Sequence, residues 1–215
     1  MFLLSVRQLA LMIILIMSPM AGEAYEEVED LVEIFVTDNQ FTATVDGRRT
    51  FPESIKSGGN VLWEGAKGEV GAILTDQRLL AVSITSGGWN TLDLKIREKR
   101  STPEMLLAAH LVVMLTDERI VAFGTYTDGF FKIPMPIGES VVASQAEGRV
   151  AAVVTSSRAY GFSAYRRGAA EIRLKRQEEI VAIKATYNKI TLQTSKDRVL
   201  ILRAKDARWS RVVLD

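Results

Sequence analysis

Apolar positions in this chain fall in short runs separated by polar turn residues, and the runs recur. Val112 to Leu115, Leu79 to Val82 and Val199 to Leu202 are bounded by Thr, Asp, Ser or Gly and are too short for helices. Helical spacing is weak. Its best candidate is Thr102 to Leu111, where Pro103 suits a first helical turn and Glu104 suits that end of the macrodipole. The corresponding segments elsewhere read as strands, so a strand is predicted there too.

The runs belong to a repeat. Residues 72–79, 113–120, 152–159 and 191–199 share an apolar strand, a Thr-Asp or Thr-Ser step and an arginine, and 34–41 fits with Gln40 in place of arginine. The threonines are Thr37, Thr75, Thr116, Thr155 and Thr194, spaced 38, 41, 39 and 39 residues apart. Eleven residues after each arginine (or Gln40) stand Phe51, Trp89, Phe130, Ala169 and Trp209. Four of the five are aromatic in a chain that is 7% aromatic, so the two landmarks support one another. Short side-chain oxygens at the Thr-Asp step supply turn chemistry. Each unit then reads as four strands, the first of them 61–63, 105–107, 141–143 or 180–182.

One four-stranded meander of this size cannot bury both its faces, whereas several stacked face to face can, and radial closure also removes exposed end sheets. The repeat length and strand grammar resemble the β-propeller superfamily over nearly all of the chain after residue 24. The Trp-Asp, kelch and quinone-dependent dehydrogenase signatures are absent, so the resemblance implies an architecture and no activity. The threonine motif with its trailing aromatic is similar to one in bacterial exported proteins without assigned function. The expected fold is all-β: a five-bladed β-propeller of antiparallel four-stranded blades, bounded at about 25–58, 59–100, 101–138, 139–177 and 178–215. Blade one is expected either to have three strands, lacking its inner one, or to form that one as a short irregular strand at residues 25–30, because only the acidic stretch from Tyr25 to Leu31 precedes its threonine strand. The recurrent aromatic should pack between blades, and the recurrent arginine should bond to a Thr-Asp turn on its own or an adjacent blade.

Composition adds constraints. The chain has 215 residues, 47% hydrophobic and 25% charged, with 27 basic against 26 acidic side chains, which gives no global electrostatic case for nucleic acid. It has no cysteine, which excludes disulfides, thiolate metal sites and a cysteine nucleophile. Residues 1–24 read as a signal peptide: Arg7 precedes the apolar run Leu9 to Met17, Ser18 and Pro19 break it, and Gly22 to Ala24 suit cleavage. The alternative is a signal anchor left in the membrane. No later segment is long and apolar enough to span a bilayer, so stable insertion after cleavage is not expected.

No catalytic, cofactor or metal constellation emerges. Among innermost-strand polar residues (Glu64, Ser144, Gln145, Lys184) Glu64 is read as the only acid, whereas a glycosidase needs two or three carboxylates. His110, the only histidine, is read as a surface or loop-capping residue in a turn. Asp38, Asp76 and Asp117 lack the oxygen spacing of a calcium loop and are assigned to turns. Two basic stretches, Lys95, Arg97, Lys99, Arg100 and Arg166, Arg167, Arg173, Lys175, Arg176, are placed on the solvent side of outer strands. Trp63 and Tyr187 are candidates for a sugar surface, with core packing or loop anchoring the commoner use. Loop aromatics show no equivalence between repeats, which counts against a lectin.

The expectation is a non-enzymatic, exported and periplasmic module that binds another protein of the cell envelope. A glycan-binding propeller is the alternative, a glycosidase-like enzyme the third reading. Binding residues, ligand and oligomeric state do not follow from the sequence.

Overall fold

The computed structural model describes residues 29–55, 59–100 and 102–213, so the predicted signal segment lies outside the described residues. Those residues form five antiparallel sheets in strict chain order. Blade one holds β1 (Val32–Val36), β2 (Gln40–Val45) and β3 (Arg49–Ser54). Blade two holds β4 (Val61–Lys67), β5 (Val70–Thr75), β6 (Arg78–Ser83) and β7 (Asn90–Asp93). Blade three holds β8 (Glu104–Ala108), β9 (Leu111–Leu115), β10 (Arg119–Gly124) and β11 (Phe131–Pro134). Blade four holds β12 (Val141–Glu147), β13 (Val150–Thr155), β14 (Arg158–Ser163) and β15 (Arg166–Arg173). Blade five holds β16 (Ile180–Thr186), β17 (Lys189–Thr194), β18 (Arg198–Arg203) and β19 (Trp209–Val213). The chain is a five-bladed β-propeller. The helix alternative at Thr102 to Leu111 gives way to β8 and the start of β9.

β1 carries the threonine-strand pattern and therefore matches β5, not β4. Among the described residues blade one has three strands and no innermost one, the first of the two expected arrangements, and residues 25–28 of the second lie outside the described residues. Blades two, three and four turn from their second strand to their third on the same device. The Thr75 hydroxyl accepts from the Arg78 amide at 2.9 Å and donates to the Arg78 carbonyl at 3.0 Å, and Thr116 and Thr155 repeat this with Arg119 and Arg158.

The arginine does not bond to a Thr-Asp turn. Its guanidinium is held by a glutamate from the preceding blade or linker: Glu53 for Arg78, Glu98 for Arg119, Glu139 for Arg158, Glu178 for Arg198. The reason is burial. Arg78, Arg119 and Arg198 lie under the blade edge, where a neutral turn cannot offset the loss of water and a carboxylate can. The same demand reshapes the first basic stretch, expected on an outer strand. Lys95 and Arg97 follow β7 in the linker, and Glu98–Arg100 form a 3-10 turn that points the Glu98 carboxylate inward. Lys95 and Arg97 pair with Glu118.

Apolar clusters fill the spaces between blades one and two, two and three, three and four, and four and five. The recurrent position packs in these layers: Phe51, Phe130, Trp209 and the non-aromatic Ala169 each join one cluster, and Trp89 joins both clusters between blades one and two. Trp89 and Trp209 also donate from Nε1 to the preceding blade, at Phe51 (2.8 Å) and Ala170 (3.0 Å). Gly161, in mid-strand β14, has no Cβ because Leu202 and Trp209 occupy that place. No helix among the described residues is long and apolar enough to cross a membrane.

Candidate functional site

At one end of the blades, the hairpin between first and second strands forms a tip, and the tips are tied by backbone bonds. Leu31 donates to Gly68, Glu69 to Ala109, His110 to Gly148, and Arg149 to Tyr187, at 2.7, 2.8, 3.0 and 2.7 Å. This ladder carries Glu69, His110, Arg149 and Tyr187 into one neighbourhood. The loop after the third strand arrives at the same end, because Thr125 and Ala164 donate to the His110 and Arg149 carbonyls. It brings Tyr126 and Tyr165.

Six side chains thus meet from four blades. Glu69 Oε2 accepts from the Tyr126 hydroxyl at 2.9 Å and lies 2.8 Å from His110 Nδ1. His110 Nε2 is hydrogen-bonded to the Tyr187 hydroxyl. The rings continue the circuit. His110 stacks on Tyr126 (6.2 Å between centroids), Tyr126 on Tyr165 (5.2 Å, 11° between planes), and Tyr187 meets His110 edge-on. Arg149 closes it, its guanidinium carbon 5.8 Å from the Tyr165 centroid and 4.5 Å from that of Tyr187.

The electrostatics favour a fixed arrangement. Burial, then the hydrogen bond to Glu69 and the Glu69 charge, push the Tyr126 hydroxyl up to about 12, so it stays a proton donor to that carboxylate. His110 Nδ1 is hydrogen-bonded to Glu69 and Nε2 to the Tyr187 hydroxyl, so both ring nitrogens are engaged. The base is hydrogen-bonded and its outer surface is aromatic: Tyr126 and Tyr165 are 41% and 44% exposed, whereas His110 is 1% exposed.

His110 is therefore in the expected turn but is not a surface residue. Its flanking turn is drawn under Tyr126 by the tip ladder, and Glu69 and Tyr187 satisfy it there. Tyr187 anchors the tip, and Trp63 packs with the core between blades two and three. Glu64 and Lys184 are exposed on β4 and β16, and neither reaches the tip circuit. Glu64 is not the lone acid of the innermost strands, because β8 begins at Glu104 and β12 ends at Glu147. The Ser144 hydroxyl donates to Glu104 at 2.7 Å, and the Gln145 amide oxygen is buried with no partner. Asp76 serves its turn by accepting from the Asn60 amide. Among the described residues no group of three or more His, Asp or Glu could hold a metal ion.

Arg166, Arg167 and Arg173 lie on outer strand β15 as expected, with Lys175 and Arg176 just beyond it. A cleft of about 470 Å³ lies there, lined by Arg166, Arg167, Arg208 and Trp209. Sequence reasoning missed Tyr126 and Tyr165, and it missed that they are equivalent. Each follows the residue whose amide caps the tip of its own blade, and they stand 39 residues apart, the repeat interval. Loop aromatics do recur, in two blades.

No protein-family pattern and no curated protein matches this sequence. Similar solved structures include human WBSCR16 (10% identity, TM-score 0.40, covering 86% of this chain and 65% of that one). Prp20p of Saccharomyces cerevisiae (8%, 0.40, 80% and 57%) and AztD of Citrobacter koseri (14%, 0.38, 86% and 60%) are others. The chain spans about three fifths of the length of each.

Proposed function

We propose that this chain is an exported, periplasmic, non-enzymatic binding module that docks another protein of the cell envelope on its tip face. The observation that carries the reading is the Tyr126–Tyr165 stack, half exposed on a hydrogen-bonded base. Tyrosine and arginine supply most of the energy of protein contacts where a rigid neighbour holds them, since little side-chain entropy is then lost on binding. Here Arg149, His110 and Tyr187 hold both rings before any partner arrives. The non-enzymatic part rests on His110, whose two nitrogens serve Glu69 and Tyr187 instead of facing a substrate. The exported part rests on the leader pattern of residues 1–24.

The recurrence of a stacked tyrosine in blades three and four favours a second reading, a glycan laid across the two rings. One experiment separates them. The protein and its Tyr165→Ala variant are each immobilised, exposed to envelope extract, and separately to a panel of oligosaccharides. Retention of a discrete protein by the parent and its loss in the variant, with thermal unfolding unchanged, supports docking. Equal retention by both overturns it, and saturable oligosaccharide binding sensitive to Tyr165 selects the lectin.

A further inference from the structure

The five blades form a series with two ends, and the ends are unlike the middle. β5, β9 and β13 are buried at every position, so their blades are covered on both faces. β2 and β17 alternate buried with open positions, so blades one and five are each covered on one face alone. The apolar layers run from blade one to blade five in order, and none joins five to one among the described residues. Radial closure, the expected remedy for exposed end sheets, is not made by an apolar layer among the described residues.

The two open faces are of opposite kinds. In blades two to four each blade's trailing face seats on the leading face of the next. Blade one lacks a neighbour on its leading face, blade five on its trailing face. Paired residues of an antiparallel ladder share a face. Phe35 pairs with Thr42, and Thr42 with Pro52, while Glu33 pairs with Thr44 one row on. On blade five, Lys184 pairs with Thr191, Thr191 with Ile201, and Val199 with Val212. Phe35 and Val212 are 53% and 47% exposed. The leading face carries Glu33, and the trailing face carries Lys184, Lys189 and Arg203 beside its apolar centre, so the charges are complementary.

We propose that a second copy of this chain covers these faces, blade five of one copy seating on blade one of the next. The tip ladder shows the register. Each step is an amide donating to the carbonyl just before the next tip, at Gly68, Ala109, Gly148 and Tyr187. The next donor is the Asn188 amide, and the residue equivalent to those acceptors in blade one is Asp30. The junction joins Asn188 of one copy to Asp30 of the next. Such a contact is heterologous, closing a ring if its rotation closes and otherwise growing a filament.

Sedimentation velocity of the purified protein over a micromolar range tests this. The parent should sediment as an assembly, and Phe35→Asp and Ile201→Asp should each weaken association by about tenfold or more. Mixing the two variants should restore a species of two copies, because each retains the face the other has lost. Val212→Asp replaces Ile201→Asp if the latter unfolds, as judged by its melting transition. A parent that is monomeric throughout, single variants that still associate, or a mixture that stays monomeric would each overturn the proposal. The first result would assign the faces to another occupant, such as residues 1–28 or a different protein.

Discussion

Glu98 grips Arg119 with both carboxylate oxygens, Oε1 on Nε and Oε2 on Nη2, each at 2.6 Å, although Glu98 stands in the linker after blade two and Arg119 on β10 of blade three. Oε1 also accepts from Thr116 at 3.1 Å, and Oε2 from the Lys95 amide at 2.7 Å. Arg119 in turn donates to the Asp93 carbonyl. One buried carboxylate therefore joins the end of blade two to the threonine turn of blade three. Burial is the largest single influence on its pKa and acts upward. The Arg119 hydrogen bond, the Lys95 amide, the Arg119 charge and Thr116 together hold it below the ordinary value.

Breaking this clamp from one side leaves an uncompensated buried charge. Glu98→Ala is expected to lower stability by about 3–5 kcal/mol in urea unfolding. Glu98→Leu combined with Arg119→Met should cost far less than the sum of the single changes. An additive double variant would mean that the ion pair is not the unit holding the blades.

Glu178 has the same role toward Arg198, and its carboxyl is held down at about 2, against an ordinary value of 4.5. Burial is again the largest influence and acts upward, but the Arg198 and Thr194 hydrogen bonds, the Lys175 amide and the Arg198 charge together outweigh it. A carboxyl with a depressed folded-state pKa contributes stability above its unfolded value, and that contribution fades as pH falls toward the folded one. Melting temperature should therefore be flat near neutrality and fall between about pH 4.5 and 2. Glu178→Gln should be less stable at pH 7 and show a shallower acid slope. An identical slope in both proteins would contradict the assignment.

The tip ladder predicts a contrast between two glycines. Gly148 has φ +50°, and a Cβ there would stand 2.3 Å from the Tyr187 carbonyl oxygen, whereas Gly47 has φ +59° with open space around it. Gly47→Ala should cost about 1 kcal/mol, the backbone strain alone. Gly148→Ala adds a clash with backbone and should cost at least about 2 kcal/mol more. Equal losses would mean that the tips are not in contact.

At the tip, Tyr126→Phe removes the donor to Glu69 and keeps the stack. It should lower stability by about 1–2 kcal/mol, since Glu69 loses a partner on its part-buried side. In the parent, ultraviolet titration should show Tyr126 ionising near 12, with Tyr160 also raised by burial, and the variant should lose one tyrosine's amplitude from the high-pH step. An undiminished step would assign the ionisation near 12 to another tyrosine.

The repeat was legible because it rests on local chemistry. A threonine turn needs Thr and the residues just after it, and a packed aromatic needs one large side chain at a fixed interval. The glutamate clamps were not legible, although Glu139 and Glu178 each stand 16 residues before a repeat threonine and Glu98 stands 18 before. Their partners lie across a linker of variable length, and blade two takes its glutamate from outer strand β3 instead. The tip site was hidden for a related reason. Glu69, His110, Arg149 and Tyr187 differ in kind, so no repeated letter marks the position that brings them together. Tyr126 and Tyr165 did repeat, each ten residues after its threonine, but in two blades alone. The open ends were foreshadowed by the missing inner strand of blade one.

The central claim is a series of five blades in which the middle three are covered twice and the outer two once. Hydrogen–deuterium exchange on the Phe35→Asp variant, which cannot make the head-to-tail contact, tests it directly. The account predicts the slowest exchange in β5, β9 and β13, with β2, β17 and β18 opening earlier, because an end blade has one neighbour to lose. Uniform protection across all five blades would show a ring closed on itself and contradict it.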